Sequence, residues 1–196
     1  MTNNYIKNSK LLKKNHVYSE EMEHDACGVG AIVSTEGKKS RVIVEYGIEA
    51  LKAVWHRGAV DADGKTGDGA GIHLEIPKDF FIEKIEVTGH DYDNSEICVG
   101  MIFLPRNDYS SQESCKTIVE SELTKNNFSI YGWRQVPVNP KILGQKAFQT
   151  MPEIMQVLFK SNDKNLLDKD LERKIYETRK KIENKAFQLS LNNFYI

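Results

Sequence analysis

The chain has 196 residues, of which 40% are hydrophobic and 28% are charged, and its formal net charge is -1 with a pI near 6.5. This size predicts one domain with one ordinary core, and the near-zero charge supplies no basic field that would attract nucleic acid or an anionic membrane. No apolar stretch approaches the roughly 18 residues of a membrane span. Three cysteines without C-x-x-C spacing argue against a disulfide-stapled secreted domain and favour the cytoplasm.

The first 26 residues differ from the rest of the chain. They are rich in Asn, Lys and Glu and lack an apolar period of 2 or 3.6, which predicts a pro-segment or a loose tail. The mostly apolar run 29–33 then predicts a short interior strand. Between Ser40 and Trp55, apolar residues at helical spacing predict an amphipathic helix with Ser40 as its N-cap. These apolar residues are Val44, Ile48, Leu51 and Val54.

The middle and last parts of the chain mix strands and helices. Alternation over 71–76 predicts a half-buried strand, and the apolar run 97–104 predicts a buried strand stopped by Pro105. A helix is expected around 112–125 and an aromatic strand over 128–136. The charged stretch 168–185 carries apolar residues on one side and predicts a surface helix packed on a sheet. The final predicted strand covers 186–196.

Five glycines lie in the fourteen residues from Gly58, and they predict either a flexible connection or a loop that approaches a small polar ligand closely. Three known motifs fail on register or context. A P-loop needs glycine where Ala59 stands, and an EF-hand starting at Asp61 needs glycine and glutamate where Thr66 and Ile72 stand. A dinucleotide fingerprint should open a helix, whereas this loop leads into a strand pattern.

Cys27 is the candidate nucleophile because a dispensable-looking leader precedes it and a strand pattern follows it. Cleavage between Ala26 and Cys27 would place a free α-amino group beside the thiol. Such an amine titrates near neutrality and can act as the base without a histidine. The alternative is a buried, inert cysteine.

Arg57 is a candidate carboxylate-binding residue at the end of the predicted helix, since its planar guanidinium can donate two parallel hydrogen bonds; the alternative is an exposed or structurally paired arginine. His56 and His73 have no metal-ligand partner at suitable spacing and are predicted to be structural. Aspartates in a glycine-rich loop most often cap turns. Of these aspartates, Asp68 has the most specific placement, between Gly67 and Gly69.

Four ordered segments together resemble the N-terminal glutaminase domain of the large subunit of glutamate synthase. They are Glu23-His24-Asp25-Ala26-Cys27-Gly28-Val29-Gly30, His56-Arg57-Gly58-Ala59, Thr66-Gly67-Asp68-Gly69-Ala70-Gly71, and Gly132-Trp133-Arg134-Gln135-Val136-Pro137-Val138-Asn139-Pro140 followed by Leu143-Gly144. The resemblance implies a class II glutamine amidotransferase of α+β class with the N-terminal-nucleophile hydrolase fold. That fold is a four-layer αββα sandwich with mainly antiparallel sheets.

The resemblance also implies the domain boundaries and the site. Residues 1–26 would be the pro-segment and 27–196 the N-terminal part of the amidotransferase domain. Cys27 would be the nucleophile with its own α-amino group as base, and Arg57 would bind the glutamine α-carboxylate. The remaining substrate-binding residues would be Gly58, Thr66, Asp68 and Gly69, with Asp68 facing the substrate amino group.

The family would release ammonia for reductive glutamate formation from 2-oxoglutarate. Glutamine, the remainder of the synthase and its electron-donor subunit or ferredoxin would be the partners. We expect no cofactor or metal in this chain, since three scattered cysteines cannot hold an iron-sulfur cluster; FMN and that cluster would belong to the remainder.

The family supplies its oxyanion hole with an Asn-Gly pair, and this chain has no Asn-Gly dipeptide. We therefore expect a fragment that is incomplete at its C-terminus. A non-catalytic remnant or binding module, and an N-terminal-nucleophile hydrolase of another amide, remain alternatives.

Overall fold

The fold was analysed in a computed structural model that describes residues 7, 8, 10, 11, 14, 28–163, 166 and 168–196, together with all of their side chains except that of Arg57. The described residues fall into two separately packed units. One runs to Ala59 and also includes Asp68–Ile72, and the other consists of Val60–Gly67 and His73–Ile196.

The first unit is built on helix α1 (Arg41–Ala53), which confirms the predicted amphipathic helix. The Ser40 hydroxyl accepts a hydrogen bond from the Val42 N–H at 3.3 Å, so Ser40 is the N-cap that the sequence indicated. Within this unit Ile72 packs against α1 at Gly47, where an added Cβ would lie 3.1 Å from the Ile72 Cδ1. The absence of a side chain at Gly47 therefore lets Ile72 approach the helix backbone.

The second unit contains helices α2 (Lys78–Val87), α3 (Tyr109–Lys125), α4 (Gln145–Thr150) and α5 (Asp168–Gln188). Its strands are β1 (Cys98–Leu104), β2 (Phe128–Gln135) and β3 (Glu153–Ser161). All pairs are antiparallel and the strand order is β1-β3-β2, so the strand that comes last in sequence lies at the centre. The α+β class and the antiparallel pairing are confirmed. One sheet is seen among the described residues.

Helices cover both faces of this sheet because successive side chains of a strand point to opposite sides. In β3, Val157 and Phe159 pack in a core with buried residues of α3 and α5. Leu158 lies between them in sequence and packs on the other face with Phe81 and Ile85 of α2. The apolar run of β3 is thus buried on both sides, as expected for a central strand.

A buried carboxylate joins α3 to α5. Glu122 is 5% exposed and accepts hydrogen bonds from Lys185 of α5 and, at 3.5 Å, from Lys125. The pKa of Glu122 is lowered, chiefly by the hydrogen bond from Lys185. A charge this well covered is tolerated because it is paired.

Three predicted strands are wrong. Residues 29–33 and 71–76 have no strand assignment, and Val29 and Val33 are largely exposed. An alternating or apolar run becomes a strand only when a partner pairs with it, and no described strand pairs with either segment. In the predicted strand 186–196, α5 continues to Gln188 and only Tyr195 forms an isolated antiparallel bridge, with Phe103 of β1.

Among the described helices, none has the length and apolar composition that crossing a bilayer requires.

Candidate active site

Cys27, the predicted nucleophile, lies outside the described residues, as does the side chain of Arg57. The backbone of Arg57 is described. It ends a 3₁₀ turn (Trp55–Arg57) that follows α1 directly, so the predicted helix-to-loop junction at this residue is confirmed. His56, predicted to be structural, has its Nδ1 3.2 Å from the carbonyl oxygen of Ala53 in the last turn of α1.

Gly58 terminates the 3₁₀ turn. Its N–H donates to the carbonyl oxygen of Trp55 at 3.0 Å, and its backbone is extended at φ -82° and ψ 151°. A Cβ at this position would lie 3.3 Å from the same carbonyl oxygen, closer than most Cβ contacts. Gly58 is therefore favoured by local packing, independently of its predicted role toward substrate.

Asp68 is held by the backbone of Ala59, in the same unit. The Ala59 N–H donates to the Asp68 Oδ2 at 2.8 Å, and the Asp68 N–H donates to the Ala59 carbonyl oxygen at 3.2 Å. The two bonds fix the start of the Asp68–Ile72 segment beside Gly58. Asp68 is placed by main-chain bonds, and its predicted role toward the substrate amino group stays a prediction.

Residues 60–67, in the second unit, form a tight loop closed by an antiparallel bridge between Val60 and Gly67. The Asp61 N–H donates to the Thr66 carbonyl oxygen at 2.7 Å, and the Gly64 N–H donates to the Asp61 carbonyl oxygen at 2.9 Å. Gly64 has a φ of 68°, a conformation that glycine adopts without steric cost. The loop is a turn with its own hydrogen bonds.

Asp63 is the central acceptor of this turn. Its Oδ1 accepts from the backbone N–H groups of Lys65 and Thr66 at 2.9 and 2.7 Å, and its Oδ2 accepts from the Thr66 hydroxyl at 2.6 Å. The pKa of Asp63 is held well below its usual range, first by the Thr66 hydroxyl and then by the Thr66 and Lys65 N–H groups. Asp63 therefore caps a turn, which confirms the general expectation for aspartates in this loop.

Thr66 was predicted to bind substrate, and its hydroxyl proton is used within the turn. Gly69, also predicted to bind substrate, is exposed, and a Cβ added there would have no described atom within 4 Å. Packing among the described residues does not require glycine at this position. A requirement for glycine at 69 would then have to come from a ligand that approaches the backbone.

Three residues with no role predicted from the sequence contact the Asp61–Thr66 turn in the second unit, namely Gly144, Gln145 and Lys146. Lys146 Nζ lies 2.5 Å from Asp61 Oδ2. In the sequence, the Leu143-Gly144 pair is only part of the family resemblance. Its contact with residues about 80 positions earlier could not be inferred from spacing.

The two cysteines that the structure describes lie outside any metal-ligating group of the described residues. Cys98 and Cys115 are buried, and burial raises the pKa of the Cys98 thiol to about 12 and that of Cys115 to about 11. Within the described part of the chain, no group of three or more His, Cys, Asp or Glu residues is placed to hold a metal ion. Cys98 and Cys115 therefore belong to no group of the described residues that is placed to hold an iron-sulfur cluster, which is ligated by several thiolates.

The family model described as glutamine amidotransferases class-II matches residues 27–196. The chain belongs to the class-II glutamine amidotransferases. Class-II glutamine amidotransferases have the N-terminal-nucleophile hydrolase fold. The helices and the antiparallel sheet of the second unit agree with this fold. The matched span begins at Cys27.

Relatives of this amidotransferase chain are glutamate synthases. It is 50% identical over 189 residues to the large chain of glutamate synthase (NADPH) of Azospirillum brasilense, covering 96% of this chain and 12% of that protein. It is 39% identical over 176 residues to the ferredoxin-dependent glutamate synthase of Pyropia yezoensis, covering 89% of this chain and 11% of the relative. Ferredoxin-dependent glutamate synthase 1 of Arabidopsis thaliana is 41% identical over 162 residues, covering 82% and 10%. The chain thus spans about a tenth of the length of these relatives.

Proposed function

We propose that this chain carries the glutamine-hydrolysing step of a glutamate synthase. Removal of residues 1–26 would free the α-amino group of Cys27, which takes the thiol proton. The sulfur attacks the side-chain amide carbon of glutamine, and the protonated amine returns the proton to the leaving nitrogen as ammonia departs. Water then cleaves the thioester to release glutamate and regenerate the thiol.

The observation that carries this proposal is the family match, whose first residue is Cys27. A nucleophile whose own amine is the base must be the first residue of the mature chain. The match therefore supports both the identity of the nucleophile and the position of the cleavage.

Substrate binding is assigned to residues that follow α1. Arg57 would bind the glutamine α-carboxylate through two parallel N–H bonds, the geometry in which guanidinium groups bind carboxylates most strongly. Gly58, Asp68, Gly69 and Thr66 are the other residues assigned to glutamine binding, with Asp68 facing the α-amino group. The bonds from Ala59 support a fixed position for Asp68 within its unit.

The ammonia would serve reductive formation of glutamate from 2-oxoglutarate in the remainder of the synthase. The relatives' names support two electron donors, NADPH for the Azospirillum brasilense protein and ferredoxin for the Pyropia yezoensis and Arabidopsis thaliana proteins. FMN and an iron-sulfur cluster would be bound by the remainder, since the three cysteines of this chain are scattered along the sequence. A cytoplasmic location fits this metabolic role.

Processing and labelling test the proposal directly. The purified chain is examined by intact-mass spectrometry before and after incubation with a glutamine analogue that carries an electrophile at the amide position. We expect loss of residues 1–26 and addition of one label, which peptide mapping places at Cys27. The buried, high-pKa thiols of Cys98 and Cys115 should remain unlabelled, because the thiolate is the nucleophile. An uncleaved, unlabelled chain would refute the catalytic assignment.

Arg57→Ala tests the carboxylate site. We expect loss of labelling by the glutamine analogue with normal labelling of Cys27 by iodoacetamide, which has no α-carboxylate. Arg41→Ala is the matched control, since Arg41 lies in the same unit and its exposed side chain bonds Glu45 on the surface of α1. Equal analogue labelling of the two variants would contradict the assigned role of Arg57.

A further inference from the structure

The turn that contains Thr66 is in contact with the chain at Gly144. A Cβ built on Gly144 would lie 2.5 Å from the Thr66 backbone nitrogen and still closer to the Thr66 Oγ1 and the Asp63 Oδ2. Real Cβ atoms essentially never come within 3.0 Å of another group, and here one of the opposing atoms is backbone. Any side chain at 144 would therefore push the turn away.

The residues after Gly144 bind the same turn at two points. The backbone N–H of Gln145 is directed to the Asp63 carboxylate, where it contributes to the lowered pKa. Lys146, 85 residues away from Asp61 in sequence, makes an ion pair at 2.5 Å between its Nζ and the Asp61 Oδ2. The side chain of Asp61 is 32% exposed and that of Lys146 is 68% exposed. The turn thus approaches the chain closely at Gly144, and the more exposed Lys146–Asp61 ion pair adds a second contact.

We propose that Gly144, Gln145 and Lys146 form a positioning element that sets the conformation of loop 60–67 and, through Thr66, the binding of glutamine. Gly144 and Lys146 are positioning residues, since neither is assigned a contact with substrate. The substrate part of this inference rests on the proposed function. The contact with the loop does not.

The absence of a side chain at 144 explains why the loop can sit so close. The Asp63 carboxylate accepts from the N–H groups of Lys65 and Thr66, and the N–H of Gln145 also lowers its pKa, so Asp63 links the turn to the Gly144 segment. Displacing the turn from Gly144 would break the Gln145 contact and loosen the remaining bonds. Thr66 would then lose its fixed position.

Hydrogen exchange and labelling together test this inference on the full chain. The variants are Gly144→Ala, Lys146→Met and Lys146→Arg, with Lys141→Met as a control that removes an exposed lysine of the preceding 3₁₀ turn (Pro140–Ile142). We expect Gly144→Ala to speed exchange in peptides covering 60–67 by tenfold or more. Lys146→Met should speed this exchange by at most about fivefold, which corresponds to the stabilisation that an exposed ion pair provides.

In the labelling arm, the same two variants should raise the concentration of glutamine analogue that half-saturates labelling of Cys27, with the maximal rate little changed. Lys146→Arg should restore parental values and Lys141→Met should match the parent. Iodoacetamide labelling should not change in any variant.

Unchanged exchange over 60–67 in Gly144→Ala, or in Lys146→Met if the glycine variant fails to fold, would overturn the contact itself. Faster exchange with an unchanged half-saturating concentration would overturn the effect on glutamine binding. A parent chain that the analogue does not label would instead refute the proposed function, and the exchange arm would still decide the contact.

Discussion

The bulge in β2 offers a quantitative test of the sheet. Gly132 has a φ of 151° at the register shift after Ile130, and an added Cβ would lie 2.8 Å from the Thr88 Cγ2 and 3.0 Å from the Thr88 Cβ. Backbone strain for a residue other than glycine costs roughly 1–3 kcal/mol, and overpacking costs roughly another 1–3 kcal/mol. We therefore expect Gly132→Ala to lower the free energy of unfolding by about 2–6 kcal/mol.

A neighbouring glycine separates the two contributions. Gly89 has a φ of 82°, and a Cβ there would meet nothing within 4 Å, so Gly89→Ala adds strain without a clash. It should cost only about 1–2 kcal/mol. Thr88→Ser removes the clashing methyl group and keeps the hydroxyl, which lies 2.8 Å from the Tyr131 carbonyl oxygen. The double variant Gly132→Ala with Thr88→Ser should recover part of the loss.

Urea unfolding followed by far-UV circular dichroism measures the parent and the four variants under one set of conditions. The double-mutant cycle between Gly132 and Thr88 should give a favourable coupling of about 1 kcal/mol or more. The close packing of the end of α2 against β2 is wrong if Gly132→Ala lowers the free energy of unfolding no more than Gly89→Ala does. It is also wrong if adding Thr88→Ser to Gly132→Ala recovers none of that loss.

Three further outcomes are expected. Ile182→Ala should destabilise the chain by about 2–5 kcal/mol because Ile182 is 1% exposed, whereas Phe187→Ala, 82% exposed on the same helix, should change urea unfolding by no more than about 0.5 kcal/mol. Gly69→Ala should leave stability unchanged and reduce analogue labelling of Cys27 at least tenfold; undiminished labelling would contradict close approach of glutamine. The pKa of Asp63 is lowered in the fold, so the stability that its ionised carboxylate contributes is complete above about pH 4 and declines as the pH falls below it. Hydrogen exchange at the Lys65 and Thr66 amides, which donate to this carboxylate, should quicken at the lower pH. Asp63→Asn should remove that pH dependence.

Local sequence patterns correctly predicted elements that depend on a capping residue or on a continuous apolar face, such as α1 and β1. Ser40 as N-cap and the 4-3-3 spacing from Val44 gave α1, and the apolar run to Pro105 gave β1. Helix α3 begins at Tyr109, three residues before the predicted start, because Asp108 accepts from the Ser111 N–H and caps it. A cap search upstream of Gln112 would have found this boundary.

Helix α2 and strand β3 were not predicted, although the sequence of each has a recognisable apolar pattern. In α2, Phe81 and Ile85 are buried four residues apart after Pro77, which is a short amphipathic helix pattern. In β3 an apolar run between Pro152 and Asn162 is typical of a buried strand. The wrong strands, by contrast, could not have been rejected locally, since pairing depends on a partner elsewhere in the chain.

In the candidate site, too, local features could be predicted from the sequence, whereas contacts between distant residues could not. Helical spacing predicted that Arg57 follows the end of α1, and the composition of the loop predicted an aspartate-capped turn. Spacing could not reveal that Asp68 is bonded by Ala59 or that Lys146 reaches Asp61, because both contacts depend on the folded path of the chain.

The central position of β3 has a consequence for synthesis on the ribosome. Strands β1 and β2 have no ladder with each other, and each pairs only with β3, as in the Cys98 to Phe159 and Phe128 to Ser161 pairs. The sheet therefore cannot form until Ser161 has left the exit tunnel. Until then, the apolar faces of the two earlier strands remain open to chaperones and to neighbouring nascent chains. Slow translation at the stage when Ser161 has just left the tunnel would favour correct assembly of this sheet.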